Sequence, residues 1–416
     1  MVPNGWERKP LEKVAEIKTG VAKGKKGLKD PIEVPYLRVA NVQDGYIDLS
    51  EVKTIQIERH QLERYSLQVG DVLMTEGGDF DKLGRGDVWQ GQITPCLNQN
   101  HVFAVRPNQK VLLPYFLGAL SGSNYGKTYF LSCAKRSTNL ASINSTQLKE
   151  FPVLTPPIPE QRKIAKILST WDKAIATTEK LIETSKQQKK AMMQQLLTGK
   201  KRLVDPETGK AFEGDWEEVR LDDLAIYRRG SFPQPYGNPE WVDKINGYPF
   251  IQVFDIDKNM KLKSSTKTKI SDAAIGKSVF IKAGTVIVSL QGSIGRVAIT
   301  QYDAYVDRTV LLFQQFKRQM DTVYFAYAVQ ELFEIEKEKA PGGTIKTITK
   351  QVLSNFTINV PIYTEQQKIA SVLTAADKEI EVFEVKLAHF KQEKKALMQQ
   401  LLTGKRRVKV DDMEVA

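Results

Sequence analysis

The sequence predicts an α+β protein in which two mixed α/β globular parts are separated by two long helices forming an antiparallel coiled coil. Two observations predict this fold. First, KKAMMQQLLTGKKRL at positions 189–203 returns as KKALMQQLLTGKRRV at positions 394–408, with 12 of 15 residues identical. Second, apolar residues recur at helical spacing before both segments, whereas the other regions show short β-like runs broken by Gly and Pro. The chain is therefore interpreted as a tandem internal duplication with pseudo-twofold symmetry.

The first globular part resembles the second at several places. WERKPLEKVAEIKTG (6–20) is similar to WEEVRLDDLAIYRRG (216–230), and PYLRVANV (35–42) is similar to PFIQVFDI (249–256). Strands are predicted in GDVLMTEGG and GTVIVSLQGSIGRVAI, and helices in LPYFLGALSG and MDTVYFAYAVQELFEIEKEKA. The predicted domains are a first globular domain at 1–155, a helical region at 156–203, a second globular domain at 204–359, a second helical region at 360–408 and a tail at 409–416.

Each long helix carries one apolar stripe with alternating spacings of four and three, as in a coiled coil. Pro159 suits a first helical position, and Thr364 is predicted as an N-cap with Gln367 as its capping-box partner. Gly199 and Gly404 are predicted to end the helices. The residues predicted to pack between the helices are Ile164, Leu168, Trp171, Ile175, Ile182, Met192 and Leu196 in the first, and Ile369, Leu373, Ile380, Phe383, Leu387, Phe390, Leu397 and Leu401 in the second.

The charge distribution indicates a nucleic-acid partner. The net charge is +12, and the repeated helical segments hold most of it, with +7 at 160–203 and +3 at 365–408. Only two cysteines and three histidines occur, so neither a disulfide framework nor a Cys/His metal site is expected. No apolar run approaches the roughly 18 residues of a membrane span, and MVPNGWERKP does not read as a signal sequence. A cytoplasmic, soluble protein without a membrane partner is predicted.

Three short strings are similar to catalytic motifs but depart from them. GSNYGKT (122–128) has three residues between its glycines where a phosphate-binding P-loop needs four. TPPI (155–158) lacks the amide or acid and the aromatic ring of an amino-methyltransferase motif, and is interpreted as the start of a helix. DIDK (255–258) has the Asp-x-Lys ending of a metal-dependent nuclease site, but no acidic partner motif accompanies it. No catalytic and no metal-binding residue is therefore assigned, and a binding protein is favoured.

The chain closely resembles the specificity (S) subunit of type I restriction–modification systems over essentially its whole length. The resemblance rests on the order of globular domain, helix, globular domain and helix. It also rests on PPIPEQRKIAKIL and VPIYTEQQKIASVL at the helix starts, and MMQQLLTGKKR and LMQQLLTGKRR at the helix ends. The loop VAKGKKGLKD (21–30) departs from the family pattern, whereas SFPQPYGNPEW (231–241) follows it. The resemblance implies that the globular parts are target recognition domains, each reading one half of a bipartite, asymmetric site in double-stranded DNA.

The resemblance also implies that this chain is noncatalytic and carries no cofactor. Two modification subunits with S-adenosylmethionine would dock on the helices and methylate adenine, and restriction subunits using ATP and Mg²⁺ would translocate and cut DNA. Two other classes remain open. A self-contained DNA methyltransferase or nuclease would need a cofactor or metal site. A coiled-coil scaffold whose globular parts bind proteins would fit the near-zero charge of the second part.

Candidate DNA contacts follow from side-chain chemistry alone. Arg, Lys, Asn and Gln on loops pair bidentately with guanine or adenine in the major groove. The candidates in the first domain are Lys25, Lys26, Arg38, Arg85, Asn98, Asn100, Arg136 and Asn139, and those in the second are Arg229, Gln234, Gln252, Gln291, Arg296, Arg308 and Lys346.

Overall fold

The computed structural model describes residues 2–23, 27–78, 80, 83–136, 140–339 and 353–410. Contacts divide the chain into two compact units. Unit 1 comprises Met1–Glu179 and Val385–Ala416, and unit 2 comprises Lys180–Glu384. Each unit therefore holds one globular head together with one part of each long helix. The α+β class predicted from the sequence is confirmed.

Head 1, the part of unit 1 from Glu7 to Thr155, is built from short strands and four helices. Its strands are β1 (Glu7–Pro10), β2 (Ala15–Thr19), β3 (Pro31–Leu37), β4 (Lys53–Glu58), β5 (Val72–Thr75), β6 (Gly77–Gly78), β7 (Gly86–Val88), β8 (Leu97–Asn98), β9 (Val102–Pro107), β10 (Lys135–Arg136), β11 (Ala141–Ser142) and β12 (Pro152–Thr155). Its helices are α1 (Leu62–Tyr65), α2 (Pro114–Gly122), α3 (Asn124–Cys133) and α4 (Ser145–Lys149).

The main sheet of head 1 has the order β2-β9-β5-β7 and is antiparallel throughout. A second sheet, β4-β3-β8, contains a parallel pair between β3 and β8, and a small third sheet has the order β10-β11-β6. Buried Phe116 and Phe130 from the two longer helices of the head join Val72 and Val105 of the main sheet in one core. That core also contains Ile164, so the first turns of the long helix belong to the head's own packing.

Head 2, the part of unit 2 from Glu217 to Val360, repeats this plan. Its strands are β13 (Glu217–Arg220), β14 (Ala225–Arg229), β15 (Tyr248–Ile251), β16 (Thr268–Ile270), β17 (Val279–Ile281), β18 (Val286–Ser289), β19 (Val297–Ile299), β20 (Ala304–Val306), β21 (Val310–Phe316) and β22 (Thr357–Val360). Its helices are α6 (Leu221–Leu224), α7 (Asp272–Ile275) and α8 (Thr322–Lys339). The sheets are β14-β21-β18-β19 and β16-β15-β20-β17, the latter with β15 and β20 parallel. The predicted helix of each head and the strand–turn–strand of head 2 are confirmed, whereas in head 1 the segment 70–78 contains β5 and β6, which belong to different sheets.

A two-stranded antiparallel ladder closes each head. Strand β1 pairs with β12, with Glu7 opposite Thr155. Strand β13 pairs with β22, with Glu217 opposite Val360. The two ends of each head therefore lie side by side, directly before a long helix begins.

The long helices are α5 (Ile158–Leu196) and α9 (Tyr363–Leu401), each of 39 residues. The predicted capping box at Thr364 is wrong, because α9 begins one residue earlier and Thr364 lies inside its first turn. Gln366 instead contacts the segment that precedes the helix, because its side-chain Nε2 donates to Pro361 O at 2.9 Å. The predicted glycine ends are confirmed, since Gly199 has φ +71° and Gly404 has φ +65°.

Within each unit the two long helices run antiparallel. In unit 2, Lys186 forms an ion pair with Glu384 and Lys189 forms one with Asp377, both at 2.6 Å. A later residue of α5 thus contacts an earlier residue of α9, as antiparallel helices require. No residue predicted to pack between the helices is exposed. Those buried are Ile164, Leu168, Ile182, Leu196, Ile369, Leu373, Ile380 and Leu401, and those half-buried are Trp171, Ile175, Met192, Phe383, Leu387, Phe390 and Leu397.

Lys189 is a charged residue within the apolar stripe of α5, and its contacts explain why it is tolerated there. Its ammonium contacts Asp377, and the other oxygen of that carboxylate accepts from the Tyr327 hydroxyl at 2.5 Å. Burial and the Asp377 carboxylate raise the pKa of Tyr327, which keeps the phenol protonated as a donor. Each long helix is thus fixed to a head through a polar contact as well as through apolar packing. The equivalent contacts in unit 1 join Lys394, Asp172 and Tyr115.

A cluster around a buried glutamate, which we call the clasp, joins the end of one long helix to the start of the other. In unit 2, Arg202 follows the end of α5 and binds Glu365 in the first turn of α9 through two bonds of 2.7 and 2.8 Å. The Trp216 indole N–H donates to the same carboxylate at 3.1 Å, and its ring lies 5.7 Å from the Arg202 guanidinium. Glu365 is 0% exposed and the Arg202 side chain is 23% exposed, so a partly buried guanidinium neutralises a fully buried carboxylate.

Unit 1 contains the same clasp, built from Arg407, Glu160 and Trp6. Arg407 binds Glu160 at 2.6 and 2.7 Å, and the Trp6 indole N–H donates to that carboxylate at 3.0 Å. The beginning and the end of the chain therefore meet at the start of α5. Within the described residues, no helix is long and apolar enough to cross a membrane.

Candidate nucleic-acid interface

Equivalent loop corners in the two heads hold several of the candidate base readers. The first corner follows the first strand of the parallel pair, where Arg38 comes after β3 and Gln252 comes after β15. Arg38 N–H donates to Asn41 Oδ1 at 2.9 Å, and Gln252 N–H donates to Asp255 Oδ2 at 2.9 Å. Each candidate therefore sits at the start of a 3-10 turn that a buried polar side chain holds in place.

The second corner follows the other strand of the parallel pair. Asn100 lies there in head 1 and Arg308 in head 2. Matching backbone bonds hold this corner to the first, since Gln99 N–H donates to Leu37 O at 2.8 Å and Asp307 N–H donates to Ile251 O at 3.0 Å. The carboxyl ends of two parallel strands thus bring two candidate residues to one edge of each head.

The third corner is the turn after the central strand of the main sheet, with Arg85 in head 1 and Arg296 in head 2. Equivalent backbone hydrogen bonds close this turn in the two heads. Thr75 N–H donates to Arg85 O at 3.0 Å, and Ser289 N–H donates to Arg296 O at 2.9 Å. A glycine with positive φ precedes each arginine, and an added Cβ would collide with the ring of Phe130 in head 1 or Phe333 in head 2. The backbone of this corner therefore repeats, although the loops differ in length.

Three candidates of head 2 converge on Tyr236, a half-exposed side chain that the sequence did not single out. Gln252 Nε2 donates to the Tyr236 hydroxyl at 3.0 Å, and the Arg308 guanidinium lies 5.4 Å from the ring centre. Gln234 Oε1 accepts from Tyr236 N–H at 3.2 Å. The Arg308 guanidinium lies beside the Tyr236 ring, whereas Gln234 contacts the Tyr236 backbone, and with Gln252 these groups carry donors and acceptors of the kind that bind a base edge in the major groove.

Head 1 has an open concavity of about 520 Å³ at the corresponding edge. Its lining includes Glu76, the glycine pair of β6, His101 and two exposed basic residues of β10. His101 Nδ1 lies 2.6 Å from Glu76 Oε2. A donor–acceptor pair beside basic side chains can contact both a base edge and a phosphate.

Of the remaining described candidates, Arg136 lines the concavity of head 1, Gln291 lies in the turn of the third corner, and Arg229 lies at the end of β14. Asn98 is contradicted as a base reader, because it is 2% exposed and its Nδ2 donates to Val102 O at 2.6 Å inside the head. Arg136 is exposed on β10 and donates to Leu131 O, Arg229 is exposed at the end of β14, and Gln291 is exposed in the turn after β18. Four candidates lie outside the described residues, namely Lys25, Lys26, Asn139 and Lys346.

Glu76, His101 and Tyr236 are the polar residues that sequence reasoning missed. A carboxylate and a histidine in β-rich segments carry no motif, and Tyr236 stands in a loop among prolines and glycines. The alignment of the two halves holds a usable signal for Glu76 and His101, which directly follow Thr75 and Asn100 of the repeated corners, but not for Tyr236. Across the described part of the chain, no group of three or more His, Cys, Asp or Glu residues is placed to hold a metal ion.

Two heads of one fold that hold different polar side chains at two of three equivalent corners indicate a duplicated recognition protein. Comparison with known protein families identifies the family of this recognition protein. A family model described as the type I restriction modification DNA specificity domain matches residues 3–187 and again residues 213–388. The chain belongs to this family, whose domain recognises DNA and is not catalytic. Its function is to give DNA sequence specificity in a type I restriction–modification system.

Relatives agree with this assignment. The putative type I restriction enzyme MjaX specificity subunit of Methanocaldococcus jannaschii is 30% identical over 98% of this chain and 95% of its own length. The EcoBI specificity subunit of Escherichia coli is 24% identical over 88% of this chain and 78% of its own length.

Solved structures share the fold. A chain from a structure on complex assembly and conformational transition of the type I R-M system aligns with a TM-score of 0.63 and 18% identity, over 97% of this chain and 98% of its own. The type I S subunit from M. genitalium aligns with a TM-score of 0.55 and 13% identity, over 96% and 97% of the two chains.

Proposed function

We propose that this chain reads a bipartite, asymmetric site in double-stranded DNA, with one half-site for each head. Residues 1–155 and 204–359 would be the target recognition domains. The observation that carries the proposal is that the three corners repeat in backbone, while two of them differ in side-chain chemistry between the heads. Arg38 in head 1 corresponds to Gln252 in head 2, and Asn100 corresponds to Arg308. Two copies that keep the scaffold and change the polar side chains are suited to two different half-sites.

The helical regions 156–203 and 360–408 would dock two modification subunits, and restriction subunits would complete the complex. In this proposal S-adenosylmethionine belongs to the modification subunits, and ATP and Mg²⁺ belong to the restriction subunits. The proposal is supported by the family assignment and by the near-identical segments that the two helical regions share. The complex would act in the cytoplasm, as expected for a DNA-modifying assembly.

The purified chain alone is expected to transfer no methyl group from S-adenosylmethionine to DNA and to cut no DNA, because its role is recognition. Adding the modification subunit is expected to produce methylation of a specific duplex. The measurement is incorporation of labelled methyl groups into a plasmid library, followed by mapping of the modified adenines. Methyl transfer by the rigorously purified chain alone would favour the competing reading as a self-contained methyltransferase, and a complex that methylates without sequence preference would refute the proposal.

Arg308→Ala is expected to relax sequence preference at one base pair of the second half-site. A good bidentate contact discriminates against the wrong base by about 1–3 kcal/mol, so binding to the preferred duplex should weaken roughly tenfold. Arg318→Ala is the matched control, because Arg318 is an arginine of the same head in an exposed pair with Glu217 at 2.7 Å. Binding to duplexes with each base substituted in turn gives the measurement. Equal effects of the two variants would remove Arg308 from the set of base readers.

A further inference from the structure

We propose that Glu76 and His101 form a base-reading pair specific to head 1, which contacts a G·C base pair of the first half-site. This inference rests on the proposed function and names the residues of head 1 that give it a preference. The two side chains contact each other through His101 Nδ1 and Glu76 Oε2, and they line the concavity described above.

The pair is held rigidly by backbone bonds on both sides. Glu76 N–H donates to His101 O at 3.0 Å, and Ile143 N–H donates to Glu76 O at 2.8 Å. The adjoining residues, Thr75 and Val102, are partners in the ladder between β5 and β9. A site whose residues are fixed before binding loses little conformational freedom when DNA arrives, so its contacts translate into specificity.

The surroundings leave room for a base edge. Gly77 follows Glu76, and a Cβ at this position would lie 2.7 Å from Ala141 O, so the packing of β6 against β11 requires a residue without a side chain. Lys135 and Arg136 stand exposed at the rim of the same concavity. Their charges are placed to contact the phosphates that flank a base held against the glycine floor.

The chemistry of the pair matches one base pair. In the major groove cytosine presents the N4 amino donor, while guanine presents the acceptors O6 and N7. The Glu76 carboxylate accepts from cytosine N4, and the imidazole with both nitrogens protonated donates through Nδ1–H to Glu76 and through Nε2–H to guanine O6 or N7. Within the described part of the chain, the side chains of Glu76 and His101 have hydrogen bonds only to each other.

Head 2 shows that the scaffold does not require this pair. Its equivalent backbone bond runs from Leu290 N–H to Thr309 O at 2.8 Å. Leu290 is 3% exposed, and the Thr309 hydroxyl donates to Asp307 Oδ1 at 2.6 Å. The same corner is therefore apolar and internally satisfied in head 2, whereas in head 1 it carries a half-exposed carboxylate and imidazole, with 30% and 55% of the side chains accessible.

The test uses the complex of the full chain with its modification subunit and a duplex library randomised through both half-sites. Two variants are compared with the parent: the near-isosteric Glu76→Gln, and the double variant Glu76→Leu with His101→Thr, which copies head 2. Each is expected to lower the preference for G·C at one position of the first half-site by at least about fivefold. Preferences in the second half-site should stay unchanged.

The matched control is His60→Gln, because His60 forms an exposed pair with Glu58 at 3.2 Å in the same head. Glu58 stands opposite Pro31, at the far end of β3 from Arg38, so this variant should leave every preference intact. Unchanged first-half preferences in the folded variants, or a weakening that is uniform over all sequences, would overturn the inference. If the parent complex shows no preference in either half-site, the proposed function itself fails, which is a separate outcome.

Discussion

Replacing Arg202 by methionine is expected to destabilise unit 2 by about 3 kcal/mol, because removal of one partner leaves a buried charge uncompensated. Glu365 is 0% exposed, and among the described residues the Trp216 indole N–H would be its one remaining side-chain partner. Methionine retains an apolar stem beside the tryptophan ring, so the loss reports the charge and its hydrogen bonds. For a unit of this size such a loss lowers the melting temperature by roughly 10 °C. Thermal and urea unfolding measure it.

Lys201→Met is the control, because Lys201 is exposed, adjacent in sequence and outside the clasp. A second replacement, Glu365→Gln, added to Arg202→Met should recover part of the stability, since a neutral amide needs no counter-charge and still accepts from the indole. Hydrogen exchange should locate the loss in unit 2 rather than unit 1. A double variant no more stable than Arg202→Met alone would show that the charge pair is not what stabilises this junction.

The clasp explains why the chain contains nearly the same fifteen residues twice. Each copy ends one long helix, and its last arginine contacts the buried glutamate that starts the other helix. Arg202 binds Glu365 across 163 positions, and Arg407 binds Glu160 across 247 positions. The lysine near the start of each copy binds an aspartate of the opposite helix as well. Both ends of each repeated segment are therefore constrained by contacts of the same kind.

The fold was predictable from the sequence where the signal is local or repeated. The 3,4 stripes gave the long helices, and the positive φ of Gly199 and Gly404 follows from the TGK motif at both helix ends. The N-cap at Thr364 was wrong, because a capping pattern does not reveal that Gln366 is engaged with Pro361 and Asp321. The clasp itself could not be predicted, since pairing over such separations depends on the assembled heads.

The candidate site, like the fold, was only partly predictable from the sequence. Arg38, Arg85, Arg296 and Arg308 were chosen for their chemistry, and the structure places them at equivalent corners that a scan of residue types cannot identify. Asn98 was chosen on the same grounds, but its amide completes a backbone bond inside the head. Side-chain chemistry therefore predicts which residues could bind a base. Which of them lie at the surface where a base could be bound depends on the backbone fold.

Exchange of head 2 for that of another family member is expected to change one half-site completely and leave the other intact. An exchange of residues 216–359 would remove Trp216 from its clasp. The structure supports narrower ones at Leu221 and Phe356, which are joined by a bond of 2.8 Å from Leu221 N–H to Phe356 O. The ladder between β13 and β22 then remains, and the incoming head enters and leaves the scaffold at neighbouring points.

The exchange tests whether each head recognises its half-site independently of the other head. Methylation of a randomised duplex library by the exchanged complex should report the donor's second half-site together with the original first half-site. The matched control restores the native residues 221–356 through the same cloning junctions, which should restore the native preference. The core of head 2 includes Ile369 and Leu373 of α9, so the donor head must supply apolar residues that fit them. A folded, active exchange that altered both half-sites would mean that the heads do not read independently, because their contacts would then have to be coupled through the helices or the DNA.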